Sequence, residues 1–107
     1  MNPQISVLIV EDDPLIAEAH RTYVERLEGF SATVVAHTAR DAMHAASEAA
    51  AAGTPIELVL LDLGLPDASG ISLASALAGL RPAPDIIAIT SERDLEMVRA
   101  AVAHGAL

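Results

Sequence analysis

A few acidic side chains and a hydroxyl pair carry the chemistry available to this sequence. Glu11-Asp12-Asp13 follows the apolar run Ile5-Ser-Val-Leu-Ile-Val10, and Asp62 closes a second run, Leu58-Val-Leu-Leu61. Thr90-Ser91 follows a third, Ile86-Ile-Ala-Ile89. A short apolar run bounded by turn residues suits a strand covered on both faces, so each polar group stands where a strand gives out into a loop. Open α/β sheets bind their ligands outside such strand ends. If the first strand lies beside the third, Asp12 and Asp62 meet at one rim. Two carboxylates about 5 Å apart repel by roughly 3 kcal/mol at an effective dielectric near 20, and Glu11 adds to the repulsion. Raised pKa values would offset it. So would a bound cation, and an oxygen-only ligand set suits Mg²⁺. A carboxylate in that setting can attack a phosphoryl donor and form an acyl phosphate, a transfer that depends on charge neutralisation. The Thr90 hydroxyl could then bond a phosphoryl oxygen. The bland alternative is that Asp62 ends a strand and solvates itself. Three polar strand ends in one chain weigh against it.

The elements that must position these groups alternate. The first strand, Ile5 to Val10, leads to a helix opened by Pro14, where the missing N–H is harmless, and capped by Asp13. Ile16, Ala19, Tyr23 and Leu27 recur at helical spacing and are expected to pack on the sheet, with Gly29 as C-cap. A second strand is expected over Ser31 to Ala36. Thr38 then caps a helix from about Ala39 to Ala52, with Ala39, Met43, Ala46 and Ala50 as its inner stripe. Leu58 to Leu61 deliver Asp62. Ser69 caps a helix over Gly70 to Ala78, with Ile71, Ala74, Leu77 and Ala78 inward. Ile86 to Ile89 form a fourth strand, and Ser91 caps a last helix ended by Gly105. The order βαβαβαβα implies a parallel sheet joined by right-handed crossovers.

Composition limits the function classes. The 107 residues match one domain, and 52% apolar content can build a core without staples. With no cysteine there is no disulfide and no thiolate metal site. The early apolar run is too short for a signal peptide or a membrane span, so the chain reads as soluble and cytoplasmic, with no membrane partner. A net charge of −9 repels phosphate backbones and argues against direct nucleic-acid contact. All six basic residues are arginine, so no lysine can act as base or phosphate clamp. Tyr23 and Phe30 are the only aromatics, too few for base stacking. The histidines at 20, 37, 44 and 104 are scattered, which suits surface imidazoles better than a ligand set.

Taken together, three stretches resemble the receiver domain of two-component response regulators. Ile5-Ser-Val-Leu-Ile-Val-Glu-Asp-Asp-Pro-Leu-Ile16 resembles its acidic-pair motif. Leu60-Leu-Asp-Leu-Gly-Leu-Pro-Asp-Ala-Ser-Gly-Ile71 resembles its phosphoacceptor motif, and Ile87-Ala-Ile-Thr-Ser91 its switch-strand motif. Ala17-Glu-Ala-His-Arg-Thr-Tyr-Val24 and Asp94-Leu-Glu-Met-Val-Arg-Ala-Ala-Val102 are similar to the subgroup that responds to citrate and C4-dicarboxylates. The resemblance implies a flavodoxin-like (CheY-like) fold with sheet order 2-1-3-4-5. It implies Asp62 as phosphoacceptor, Asp12 as a direct Mg²⁺ ligand, Glu11 as a ligand through water, and the Gly64 carbonyl as a further ligand. Thr90 would be the switch hydroxyl. A sensor histidine kinase would be the phosphoryl donor. An effector domain outside this chain, typically DNA-binding, would be the target, with a homodimer as a further assembly. The domain would be a switch with at most self-catalysed phosphotransfer and dephosphorylation, not a turnover enzyme.

The resemblance also places a lysine and an aromatic partner of the switch on or beside a fifth strand. The expectation is therefore a receiver domain over 1–107 truncated before that strand, with the fourth-strand edge bared and prone to self-association. Two rival functions fare worse. An aspartyl-phosphate hydrolase would need a second acid two residues past its nucleophile, where Gly64 stands. A flavodoxin-type cofactor module would need a phosphate-cradling first loop, where Glu11-Asp12-Asp13-Pro14 would repel phosphate.

Overall fold

Strand β1 (Ile5–Val10) is central in the sheet, with a strand on each edge, and its last four residues are buried. In the computed structural model, which describes residues 4–89, it pairs in parallel with β2 (Phe30–Ala36) and β3 (Leu58–Asp62). Strand β4 (Asp85–Ile89) pairs in parallel with β3, giving the order β2-β1-β3-β4. That is the order expected for the first four strands of a flavodoxin-like sheet. Thr90, Ser91 and the expected last helix lie outside the described residues.

Alternation along the strands splits the core into two layers. Leu8, Val10, Val59, Leu61 and Ile86 are buried together with Ala42 and Ala46 of α2 (Ala39–Ala51) and Leu73, Ala74 and Leu77 of α3 (Gly70–Ala78). Val7 and Ile9 point the other way and pack with Val24 of α1 (Pro14–Arg26). The helices start where the sequence signals placed them. The Asp13 carboxylate accepts from the N–H groups of Leu15 (2.9 Å) and Ile16 (3.3 Å), the Thr38 hydroxyl from Asp41 (3.1 Å), and the Ser69 hydroxyl from Ser72 (3.0 Å).

Helix faces differ from expectation. In α1 the sheet is met by Ala17 and Val24, whereas Ile16 and Tyr23 are 45% and 65% exposed and Leu27 has already left the helix as its C-cap. Neighbouring positions lie about 100° apart around a helix, so two adjacent stripes compete. The small Ala17 lets the backbone approach the strands, and that seating wins. In α2 the inner line is Ala39, Ala42 and Ala46, with Met43 at its flank and Ala50 only half-buried. In α3 Ala74 and Leu77 are buried and Ile71 packs on the core as expected, while Leu73 joins them and Ala78 is exposed. Gly29 is not the cap of α1 but the turn residue beyond it, at φ 91°, a conformation open to glycine. Strands β2, β3 and β4 each run one residue longer than expected, and α2 ends one residue earlier, at Ala51.

Close packing at the start of α3 fixes the loop after β3. The Gly70 N–H donates to the Leu63 carbonyl at 3.2 Å, and a Cβ at Gly70 would sit 2.5 Å from Leu63 Cα and 3.0 Å from the Asp62 carbonyl oxygen. Gly70→Ala is therefore expected to lower stability in urea unfolding by about 1–3 kcal/mol through overpacking against backbone. A Cβ at Gly64 would meet only Asp62 Oδ1, at an ordinary 3.7 Å, so Gly64→Ala should leave the midpoint nearly unchanged.

Candidate functional site

Strand register brings the acidic groups together. Val10 pairs with Leu61, so Glu11 and Asp62 emerge side by side as the two strands end. Asp62 pairs on its other side with Ile89, the residue before Thr90 in sequence. Glu11, Asp12 and Asp62 each offer a carboxylate oxygen, and these atoms all lie within 4.8 Å of one another. They line a cleft with Ile16 and His20 of α1 on one wall and Ile89 on another.

The three carboxylates have unequal surroundings. Glu11 is 6% exposed, whereas Asp12 is exposed and Asp62 half-buried. Burial pushes the Glu11 carboxyl up to about 7, and the charge of Asp62 pushes the same way. The Asp13 N–H, donating to Glu11 Oε2 at 3.2 Å, opposes the rise. Glu11 thus holds a proton near neutrality, which lowers the charge of the set. Asp62 is oriented differently: its Oδ1 accepts the Gly64 N–H at 3.0 Å. Asp13 stays on capping duty, as its bonds to α1 require.

The donor set fits a hard divalent cation. Its atoms are all carboxylate oxygens. An octahedral ion with bonds of about 2.1 Å holds neighbouring oxygens about 3 Å apart and opposite ones about 4.2 Å apart, so modest closure of the set would suffice.

Two further side chains hold this rim, and sequence reading gave neither a role. His37 Nδ1 lies 2.9 Å from the Glu11 carbonyl oxygen. The Asp67 carboxylate accepts from the N–H groups of Ala39 and Arg40 at the start of α2. No spacing signal points to either contact, because the partners lie 26 to 28 residues away in the chain. Thr90 and Ser91 are outside the described residues.

Comparison with known proteins gives one consistent family. The sequence model described as the response regulator receiver domain matches residues 7–107. The chain is 32% identical over 103 residues to the transcriptional regulatory protein MalR of Bacillus subtilis, covering 96% of this chain and 42% of that protein. It is 33% identical to DcuR of Escherichia coli K12 over 94% of this chain and 41% of that one. A protein of Halalkalibacterium halodurans named as a C4-dicarboxylate response regulator, DctR, shares 30% identity over 98% of the chain and 44% of its own length. The chain thus spans under half the length of these relatives. Among solved structures, a CheY-like receiver domain protein from Methanospirillum hungatei superposes with a TM-score of 0.81 at 27% identity, covering 96% of this chain and 77% of that one.

The Glu11 shift has a signed consequence for stability. Between about pH 4.5 and 7 the folded state binds more protons at Glu11 than the unfolded state does. Metal-free stability from this group is therefore full below pH 4.5 and lost as pH rises towards 7. Thermal unfolding across that range should show the decline in the parent and a flatter profile in Glu11→Gln. Asp62→Asn, which removes one member of the repelling set, should raise metal-free stability by about 1–3 kcal/mol near neutral pH. A melting temperature unchanged by Asp62→Asn would contradict the electrostatic account.

Proposed function

The chain belongs to the response regulator receiver domain family, whose members are regulatory switches, and we propose that Asp62 is its phosphoacceptor. The observation that carries this reading is the gathering of the Glu11, Asp12 and Asp62 oxygens at adjacent parallel strand ends. In the reaction, a carboxylate oxygen of Asp62 attacks the phosphorus of a phosphohistidine on a sensor histidine kinase. An oxygen–phosphorus bond forms and the nitrogen–phosphorus bond breaks. The electron pair returns to the imidazole, which takes up a proton. The Gly64 N–H holds Oδ1 of Asp62, which orients the carboxylate for attack through its other oxygen.

Asp12 and Asp62 would hold Mg²⁺ directly, Glu11 would act through water, and the Gly64 carbonyl would complete the protein's share. When bound, the cation neutralises the acidic set and the incoming phosphoryl group. Glu11 must then release its proton, so metal affinity rises with pH. Thr90 would bond a phosphoryl oxygen, and its movement would carry the signal to an effector. Residues 1–107 would form the receiver domain of a longer, cytoplasmic regulator, with a DNA-binding effector domain and a homodimer as its output. Similarity to MalR, DcuR and DctR supports a place in the subgroup that responds to C4-dicarboxylates. Among the described residues no helix is long and apolar enough to cross a membrane. Neither the hydrolase nor the flavodoxin-type reading is favoured by these findings.

Acetyl phosphate with Mg²⁺, followed by intact mass, tests the site on this chain and on a longer one that carries it. Addition of one phosphoryl group is expected, abolished by Asp62→Asn and by chelation of the metal. Phosphoryl gain that survives in Asp62→Asn would move the acceptor elsewhere and overturn the assignment.

A further inference from the structure

The loop between β2 and α2 is clasped on both sides. On one side the Glu11 N–H donates to the Ala36 carbonyl at 3.0 Å, and His37 Nδ1 lies against the Glu11 carbonyl. On the other side Asp67, in the loop that follows Asp62, spans the first turn of α2. Its Oδ1 takes the Ala39 N–H at 2.8 Å and its Oδ2 the Arg40 N–H at 3.1 Å. Thr38 caps the same helix from within, through the Asp41 N–H. Two of the amides that a helix start leaves unpaired are thus satisfied from a different loop. Those two bonds hold the Asp67 carboxyl below the usual carboxylate range, so it stays ionised across the neutral range.

The clasp bears on the acidic rim through a short stretch of chain. Between Asp62 and Asp67, Leu63 and Leu65 are sunk in the core at 2% and 8% exposure, while Gly64 stays outside and bonds Asp62. The loop is therefore pinned at its start by β3, in its middle by two leucines, at Asp67 by α2, and at its far end by the start of α3. Together with the two leucines and the Gly70–Leu63 bond, the Asp67 contact restricts the segment that carries Gly64. The β2–α2 loop meanwhile holds Glu11 from the opposite side, so it joins the two acid-bearing loops.

We propose that Asp67 is a positioning residue, which by clasping α2 holds the loop after β3 so that Asp62 and Gly64 face Glu11 and Asp12. It touches neither metal nor phosphoryl group. The inference rests on the receiver reading, since its readout is divalent affinity at that rim.

The test is Mg²⁺ titration calorimetry of the parent, Asp67→Ala, Asp67→Asn and Thr38→Ala, with amide hydrogen exchange at Ala39 and Arg40. Asp67→Ala should weaken Mg²⁺ binding by about tenfold or more, in the range seen when groups that orient metal ligands are removed. It should also speed exchange at Ala39 and Arg40. Asp67→Asn keeps one acceptor oxygen and should recover part of the affinity. Thr38→Ala removes the other cap of the same helix but leaves the bridge intact and should bind Mg²⁺ like the parent. Equal weakening by Thr38→Ala and Asp67→Ala would reduce Asp67 to a helix cap and overturn the proposal. So would parent-like affinity in Asp67→Ala. A parent chain that takes no Mg²⁺ would instead sink the metal assignment at that rim, and this proposal with it.

Discussion

Parallel register between β1 and β3 is the constraint on which the site depends. Val10 lies opposite Leu61, so Glu11, the first residue after β1, stands beside Asp62, the last residue of β3. A slip of one residue would move the whole apolar set of a strand to the wrong face. The core therefore enforces the register, and the register enforces the approach of Glu11 to Asp62. Hydrophobic burial of Val7, Leu8, Ile9, Val59 and Leu61 thus holds like charges together that would otherwise separate.

The fold manages that conflict with local dipoles and a proton. Backbone N–H groups donate to Glu11 and Asp62, and the buried member of the set is the one whose affinity for a proton rises. The exposed members keep contact with water. The result is a rim poised between two neutralising partners, a proton and a hard cation. Under the proposed reading, ionisation of Glu11 and cation binding would be linked, because both would act on the same negative charge.

Legibility followed the range of each interaction. The caps at Asp13, Thr38 and Ser69 were readable because donor and acceptor lie within three residues of each other. Strands β1, β3 and β4 were readable because each is a short, largely apolar run ended by polar or turn residues. The sheet-facing side of α1 was read one position off, because periodicity gives a stripe but does not choose between adjacent stripes of similar hydrophobicity. Ile16 and Tyr23 looked like the better core residues, yet the sheet took the smaller Ala17 and Val24. The clasp by Asp67 left no trace in spacing, since its partners are amides in another loop.

The sequence by itself determined the alternation of strands and helices, the helix starts and the placing of acids at strand ends. Each of those follows from chemistry between near neighbours or from a repeating pattern. Only the tertiary structure decided that Glu11 is the buried carboxylate, that His37 rests on its carbonyl, and that Asp67 caps α2. Those outcomes require segments 26 to 28 residues apart to meet. Their meeting is fixed by strand order and register, which arise when the whole core packs.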